Sequence, residues 1–371
     1  MLAAARALPR RHPAPVVPPL PLALVVPVRD DAAVLFRLLA QVAASGLFAE
    51  VVVVDDGSDP ALPILAALPI LAALPGPAAR PDVVLRQIRQ DPPQGGGVAR
   101  NAGAAAVTQP WMMFLDADDL IAPDLALLLA DLAAGVAAGR GFDLCLFKHA
   151  DSRVAAEARW GQPDWDEAFW AEAAHAVGAL QAARPEALPV LAQTANYPWN
   201  KVYRTALLRE HGIGCAATLV HQDIPLHWRT LIAAETVLVS DRICVWHGVD
   251  GHGVDGHGAD GHGADLPAPA PRLTAPRLTA RRGPERLEVF AALDPVVSAA
   301  AAAGPAWQAA FARFVPGLID WAEGRIDPAL APRLRAAESA WMAARIGPWL
   351  PVLAARDAGL AALVAARMGR R

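Results

Sequence analysis

Three carboxylates within four residues, Asp116, Asp118 and Asp119, close the stretch Phe114-Leu115-Asp116-Ala117-Asp118-Asp119-Leu120. Carboxylate oxygens are what hard divalent cations such as Mg²⁺ and Mn²⁺ accept, and such ions usually share a few of them with substrate phosphates. The same residues also suit a strand that runs into an acidic helix start, because Asp is favoured at a cap and in a first turn. A second pair of acids, Asp55 and Asp56, ends the run Val51-Val52-Val53-Val54 and is followed by Gly57-Ser58. Both clusters therefore stand at the ends of apolar runs, where open α/β sheets place their ligands.

Other residues able to do chemistry are spread over the next two hundred positions. Gln94-Gly95-Gly96-Gly97-Val98-Ala99-Arg100 is a glycine-rich loop opening a helix. Its backbone N–H groups could approach an anion and Arg100 could pair with a phosphate, or the glycines could simply make a tight turn. No Gly-Lys-Ser/Thr follows, so it is not a Walker loop. Tyr197-Pro198-Trp199-Asn200-Lys201-Val202-Tyr203-Arg204 holds one of the chain's two lysines and fits a packed aromatic turn or part of a site. Asp223 precedes a helical run with Leu226, Leu231 and Ile232, so it fits an N-terminal helix acid or a general base. His247 follows the apolar Ile243-Cys244-Val245-Trp246 and is placed to reach a site.

The elements that must carry these groups alternate between strand and helix. Leu22 to Val28 reads as a strand buried on both faces, and Val34, Leu35, Leu38 and Leu39 lie on one face of a helix that starts at Asp30-Asp31. Further strands are expected at 51–54, 81–88, 111–115 and 142–147, with an amphipathic helix over 123–138. This order predicts an α/β, doubly wound, mostly parallel sheet of Rossmann-like type. Residues 151–191 are Trp-containing and acidic, as a lid or acceptor-side insertion would be, and the chain is Ala-rich and helical in pattern from about residue 285.

Composition narrows the partners. The chain has 371 residues, 33 basic against 37 acidic and a net charge of -4, so nothing in it draws nucleic acid. Cys145, Cys215 and Cys244 are too few and too scattered for a disulfide framework, which points to a reducing compartment. Residues 1–19 mix arginine with proline and read as a disordered leader, and five prolines between 60 and 77 argue against a membrane span there. Leu62-Pro63-Ile64-Leu65-Ala66-Ala67 is repeated at once over 68–73, which reads as an extended connection. From Gly248 a Gly-x-Asp-Gly-His unit recurs three times; a flexible expanded loop is preferred to a metal tract, and 248–283 is assigned as a linker. Leu353, Leu360, Leu363 and Val364 form a stripe ahead of Arg367, Arg370 and Arg371. It fits a helix packed on the domain or a peripheral contact with an anionic membrane.

Taken in order, Val-Val-Pro-Val, Val-Val-Asp-Asp-Gly-Ser, Gly-Val-Ala-Arg-Asn-Ala-Gly, Phe-Leu-Asp-Ala-Asp-Asp, Trp-Asn-Lys-Val-Tyr-Arg and Gln-Asp-Ile-Pro-Leu-His-Trp-Arg resemble a family 2 glycosyltransferase of the GT-A fold, of the bacterial surface-glycan type. The resemblance covers residues 20–247 and leaves 284–371 as a helical C-terminal region. It implies a metal-dependent, inverting transfer of a sugar from a nucleotide-sugar donor to a glycan or lipid-linked hydroxyl, in the cytoplasm or at the inner membrane face. By it, Pro27, Arg29 and Asp56 contact the base and ribose, and Arg100 sits near the nucleotide. Asp118 is the direct ligand of Mn²⁺ or Mg²⁺, Asp116 lies nearer the ribose or the metal's waters, Asp119 caps the next helix, and His247 is a further candidate ligand. Asp223 matches the base. Gln222 departs from the family, which usually has Glu there. Two alternatives carry other predictions: a catalytically silent GT-A nucleotide- or sugar-binding protein, and a receiver-like signalling domain built on Asp55-Asp56.

Overall fold

A computed structural model describes residues 17–63, 83–173, 180–248 and 283–369. The leader up to residue 16, the duplicated 64–73 stretch and the Gly-Asp-His repeats beyond Gly248 lie outside the described residues.

The strands are β1 (Leu22–Val28), β2 (Glu50–Asp55), β3 (Val84–Arg89), β4 (Trp111–Phe114), β5 (Leu120–Ile121), β6 (Leu144–Asp151), β7 (Gln181–Ala182), β8 (Lys201–Arg204) and β9 (Val237–His247). The helices are α1 (Ala32–Ser45), α2 (Gly96–Ala106), α3 (Asp124–Ala137), α4 (Ser152–Ala155), α5 (Asp164–Glu172), α6 (Leu188–Leu191), α7 (Thr205–Glu210) and α8 (Ile224–Ala233). Five more close the chain: α9 (Val289–Ala303), α10 (Pro305–Glu323), α11 (Ala331–Arg345), α12 (Leu350–Arg356) and α13 (Ala358–Met368).

The strands form one sheet in the order β3-β2-β1-β4-β8-β6-β9-β5, with β7 on β9. Its first four strands are parallel, and β6 and β9 are parallel to each other. The expected doubly wound sheet is therefore present. What sequence spacing did not reveal is β8, which runs antiparallel between β4 and β6 and joins the two parallel parts.

Side-chain alternation divides the core. Leu22, Leu24, Val26, Val51, Val53, Met113, Leu115 and Val202 pack on the face covered by α1 and α3. Ala23, Val25, Val52, Val54, Met112, Phe114, Leu146 and Tyr203 pack on the other face, with α8 and the buried residues of α9 to α13. Strands buried on both faces account for the unbroken apolar runs in the sequence. On this second face α2 lies very close: a Cβ added to Gly103 would stand 2.4 Å from Val25 Cγ1. Only a residue without a side chain allows that approach.

The C-terminal helices belong to the same core. Leu353, Leu360 and Val364 are fully or nearly fully buried, and Arg367 pairs with Asp320 and with Glu338. Three of the four stripe residues thus face inward, while Leu363 is exposed. Among the described residues no helix is long and apolar enough to cross a membrane.

Candidate active site

At the end of β2, Asp55 and Asp56 do different work. Asp55 accepts hydrogen bonds from Ser58 N at 2.9 Å and Leu62 N at 3.3 Å, and is paired to Arg89 at 2.6 Å. Burial raises its pKa, but the bonds from Ser58 and Arg89 outweigh burial and hold it below the usual carboxylate range. Asp56 accepts from Gln94 N at 2.6 Å and Gly95 N at 2.8 Å, one oxygen each. In this state it fixes the entry to α2. Pro27 is the penultimate residue of β1, and Arg29, just beyond the strand, is half exposed beside Asp30 at 3.3 Å.

The glycine loop has a reason the sequence did not show. A Cβ on Gly97 would lie 2.4 Å from the Ala216 carbonyl oxygen and 2.9 Å from Gln222 Oε1, and one on Gly96 would lie 3.2 Å from Gln222 Nε2. The glycines let the segment 214–222 lie directly on the first turn of α2, so the Gln222 side chain occupies the space that an anion reading would reserve. Asn101 clamps that segment, donating to Cys215 O at 2.9 Å and accepting from Cys215 N at 2.8 Å. Sequence reasoning missed Asn101; the one signal was a polar residue beside Arg100 in an otherwise Ala- and Gly-rich helix.

From α2 the buried Arg100 guanidinium reaches Asp116 and donates to its Oδ1. Its pKa is raised because Asp116, and more weakly Asp223, outweigh the burial that would lower it. One oxygen from each of Asp116, Asp118 and Asp119 can lie within 4.8 Å of the others, close enough to share a cation.

Asp119 is not a helix cap. The helix starts at Asp124, while Asp119 is fully buried, accepts from Gly248 N at 3.2 Å and contacts His247 Nδ1 at 2.8 Å. Its other oxygen, Oδ2, is buried with no partner among the described residues. Burial pushes its pKa up to about 7 against the opposing pull of His247, and Asp119 in turn raises the pKa of His247 although burial would lower it. His247 therefore meets the acidic cluster through Asp119. Its ring is held by Tyr197 and Trp199, with centroids 5.0 and 4.8 Å away.

Asp223 stands at the start of α8. A working cap would accept from a backbone N–H of the first turn, but Pro225 lacks one and no such bond forms. Beyond its own N–H, nothing among the described residues hydrogen-bonds the carboxylate. Burial raises its pKa to about 6, opposed by Arg100 and Lys201, with Asp116 pushing the same way as burial. A carboxylate that titrates near neutrality and is not spent on a cap is suited to accepting a proton. The loop before it is tied to the C-terminal helices. Leu219 N donates to Glu288 at 2.8 Å, and the His221 ring meets Trp321 edge-on at 5.5 Å. Trp321 itself lies between Arg325 and Arg286, at 4.3 and 5.0 Å.

The 151–191 insertion is partly helical, through α4, α5 and α6. It supplies Asp166, fully buried, whose Oδ1 accepts from Ala195 N at 2.9 Å and whose Oδ2 has no partner among the described residues. Trp160, 60% exposed, stacks at 5.1 Å on Trp246, the neighbour of His247.

The comparisons with known proteins agree with this geometry. Residues 23–139 match the family model "Glycosyl transferase family 2". A succinoglycan biosynthesis protein, ExoO, of Rhizobium meliloti (strain 1021) is 38% identical over 101 residues, which is 27% of this chain and 26% of that protein. S. aureus TarS residues 1–349 in complex with UDP superpose with a TM-score of 0.60 at 17% identity, covering 94% of this chain and 88% of that one. The same TarS segment in complex with UDP-GlcNAc gives 0.63 at 16% identity with the same coverage. At such identity the TarS structures speak for the fold. Residues 23–139 are therefore similar in sequence to family 2 glycosyltransferases, and the fold built around them is that of the GT-A structures.

Proposed function

We propose that this protein is an inverting, metal-dependent glycosyltransferase that moves a sugar from a uridine diphosphate sugar to a hydroxyl of a glycan or lipid-linked saccharide, in the cytoplasm or at the inner face of the membrane. One observation carries the reading: Arg100 pairs with Asp116 of the acidic cluster and also faces Asp223, so cluster and unspent carboxylate address one space. The UDP and UDP-GlcNAc complexes of TarS support a uridine nucleotide donor, and the ExoO match supports a polysaccharide product.

The acidic cluster fits a hard divalent ion: its donors are all carboxylate oxygens, and Asp119 Oδ2 is buried without a partner among the described residues. Asp118 and Asp116 would hold it, with His247 orienting Asp119. When bound, such an ion supplies Lewis-acid stabilisation to the diphosphate leaving group. The chain's own groups do the rest. Pro27, Arg29 and Asp56 line the nucleotide side at the ends of β1 and β2, and Arg100 holds Asp116 in place. Asp223 Oδ takes the proton from the acceptor hydroxyl as that oxygen attacks the anomeric carbon opposite the leaving group, which inverts the configuration.

The test is Mn²⁺-dependent hydrolysis of UDP-sugars together with a UDP thermal shift. Wild type should turn over at least one UDP-sugar and be stabilised by UDP with Mn²⁺, and Asp118→Ala should lose both. Metal-dependent binding without turnover would favour a silent nucleotide-sugar-binding protein, and neither binding nor turnover would sink the donor assignment.

A further inference from the structure

Two tryptophans of the insertion after β6 stand in water. Trp160 is 60% exposed and Trp165 52%, whereas Trp170, Trp199, Trp228 and Trp246 are buried. Trp160 is held in place. One face of its ring lies on Trp246 at 5.1 Å with the planes 25° apart, so the exposure falls on the other face and the edges. The turn that carries it is pinned as well. Asp151 N donates to Gly161 O at 3.1 Å, Ala158 and Gly161 take φ of 57° and 116°, and Gln162 next to them is buried. A ring fixed in this way loses little freedom when something stacks on it.

Trp165 stands on the first turn of α5 and lines a cleft of about 210 Å³ with Arg153, Glu157, Arg159 and Asp164. The charges there cancel. Arg159 Nη1 donates to both oxygens of Asp164 at 2.8 and 3.0 Å and its Nε lies 3.6 Å from Glu157, while Arg153 pairs with Asp151 at 2.5 Å. The cleft is therefore rich in donors and acceptors without an excess of positive charge. Exposed tryptophans also suit a membrane interface, but basic residues in excess accompany them on an anionic one.

These residues are continuous with the acidic cluster. β6 and β9 run side by side, with Ala150 level with Trp246 and Asp151 level with His247. Trp160 thus rests on the neighbour of His247, which meets Asp119. Arg153 gives a second route, donating to Tyr197 Oη at 3.1 Å, and the Tyr197 ring packs on His247 at 5.0 Å.

A pyranose ring carries hydroxyls on its rim and C–H groups on its faces. The C–H groups, polarised positive, suit the negative face of an indole, and the hydroxyls suit paired carboxylates and guanidinium groups. We infer that Trp160 and Trp165 form a docking platform for a neutral oligosaccharide, whose rings stack on the open indole faces while Arg153, Glu157, Arg159 and Asp164 bind its hydroxyls. That this saccharide is the acceptor, held by units other than the one that reacts, rests on the glycosyltransferase reading above.

The experiment follows the indole N–H signals of full-length protein ¹⁵N-labelled at its 11 tryptophans, titrated in turn with cellotetraose, maltotetraose and laminaritetraose, without UDP-sugar or metal. The Trp160 and Trp165 signals are assigned by their loss in Trp160→Phe and Trp165→Phe. At least one tetrasaccharide should shift both signals saturably, and glucose at the same concentration should shift them far less. Trp160→Ala should raise the Kd about tenfold, as the loss of one stacked ring implies, while Trp160→Phe keeps a ring face and most of the affinity. If Trp160→Ala does not fold, Trp165→Ala, on an exposed helix start, tests the same platform. Signals that stay still with all three tetrasaccharides, or that respond only to phosphatidylglycerol vesicles, overturn the inference, as does an affinity that the folded Ala variants leave unchanged. Saccharide binding in a protein that neither binds nor turns over UDP-sugars would instead sink the proposed function and leave the platform standing.

Discussion

The two corners of the site are built on opposite principles. On the nucleotide side every acid whose bonds are resolved is engaged: Asp55 by Ser58 and Arg89, Asp56 by two loop N–H groups, Asp116 by Arg100 and Asp119 by Gly248 and His247. On the proposed acceptor side Asp166 is buried and Asp223 half-buried, both sparsely bonded: among the described residues Asp223 is unbonded to any other residue and one oxygen of Asp166 is bare. Hydrogen bonding fixes geometry and favours the ionised form, whereas burial brings pKa values towards neutrality. The first corner is thus suited to holding a charged ligand in place, with Asp119 the acid there that burial carries towards neutrality. The second is suited to passing a proton near pH 7.

The sharpest way to separate the corners is Asp223→Asn. Transfer should fall by about 10²–10⁴-fold, the usual contribution of a positioned general base, with UDP affinity by calorimetry unchanged. Equal loss of both would merge the corners and give Asp223 a structural role. Next comes Arg100→Met, which strips the shared partner from both sides. Breaking a buried pair costs roughly 3–5 kcal/mol, and because the Asp116 side chain is 27% exposed we expect about 3 kcal/mol by denaturant unfolding. A loss under about 1 kcal/mol would mean that the pair is solvated and joins nothing.

Gly97→Ala tests the contact between the corners without touching a charge. Its Cβ would meet the Ala216 carbonyl at 2.4 Å, so overpacking should cost about 1–3 kcal/mol and lower Tm. Unchanged stability would show that the 214–222 segment is not seated on α2.

The smallest effect is a pH dependence. A folded-state pKa of about 6 against 3.8 means that the native protein holds the Asp223 proton more tightly than the unfolded chain. Stability from this group is therefore present below pH 4 and lost as pH rises to 6. Relative to wild type, Asp223→Asn should gain on the order of 1–2 kcal/mol across that window and keep the gain at pH 8. A constant difference between the two proteins from pH 4 to 8 would show that Asp223 is not perturbed by burial.

How far the sequence revealed this depended on how local each feature is. The acids at the ends of β2 and β4 were legible because a doubly buried strand writes itself as an apolar run and its carboxyl end follows at once. Arg100 was legible as a charge on the first turn of a helix. The partner of Asp119 was not, since His247 lies 128 residues away and nothing in a carboxylate's neighbours tells a cap from a buried pair. Nor was the use of the glycines, which depends on a loop 120 positions later. Asp223 was legible as a helix-start acid or a base, and only family likeness favoured the base; helix-start acids are common, and what sets this one apart is a missing cap bond that only coordinates show.

The tie between the 214–222 loop and the C-terminal helices, made by Glu288 on Leu219 and Trp321 against His221, bears on how this chain can be recombined with others of its fold. The family match ends at residue 139, an inviting splice point for exchanging the two parts of the chain. A graft cut there takes the loop before Asp223 from one parent and must take residues 283–369 from the same parent. Otherwise the loop arrives without the surface that seats it.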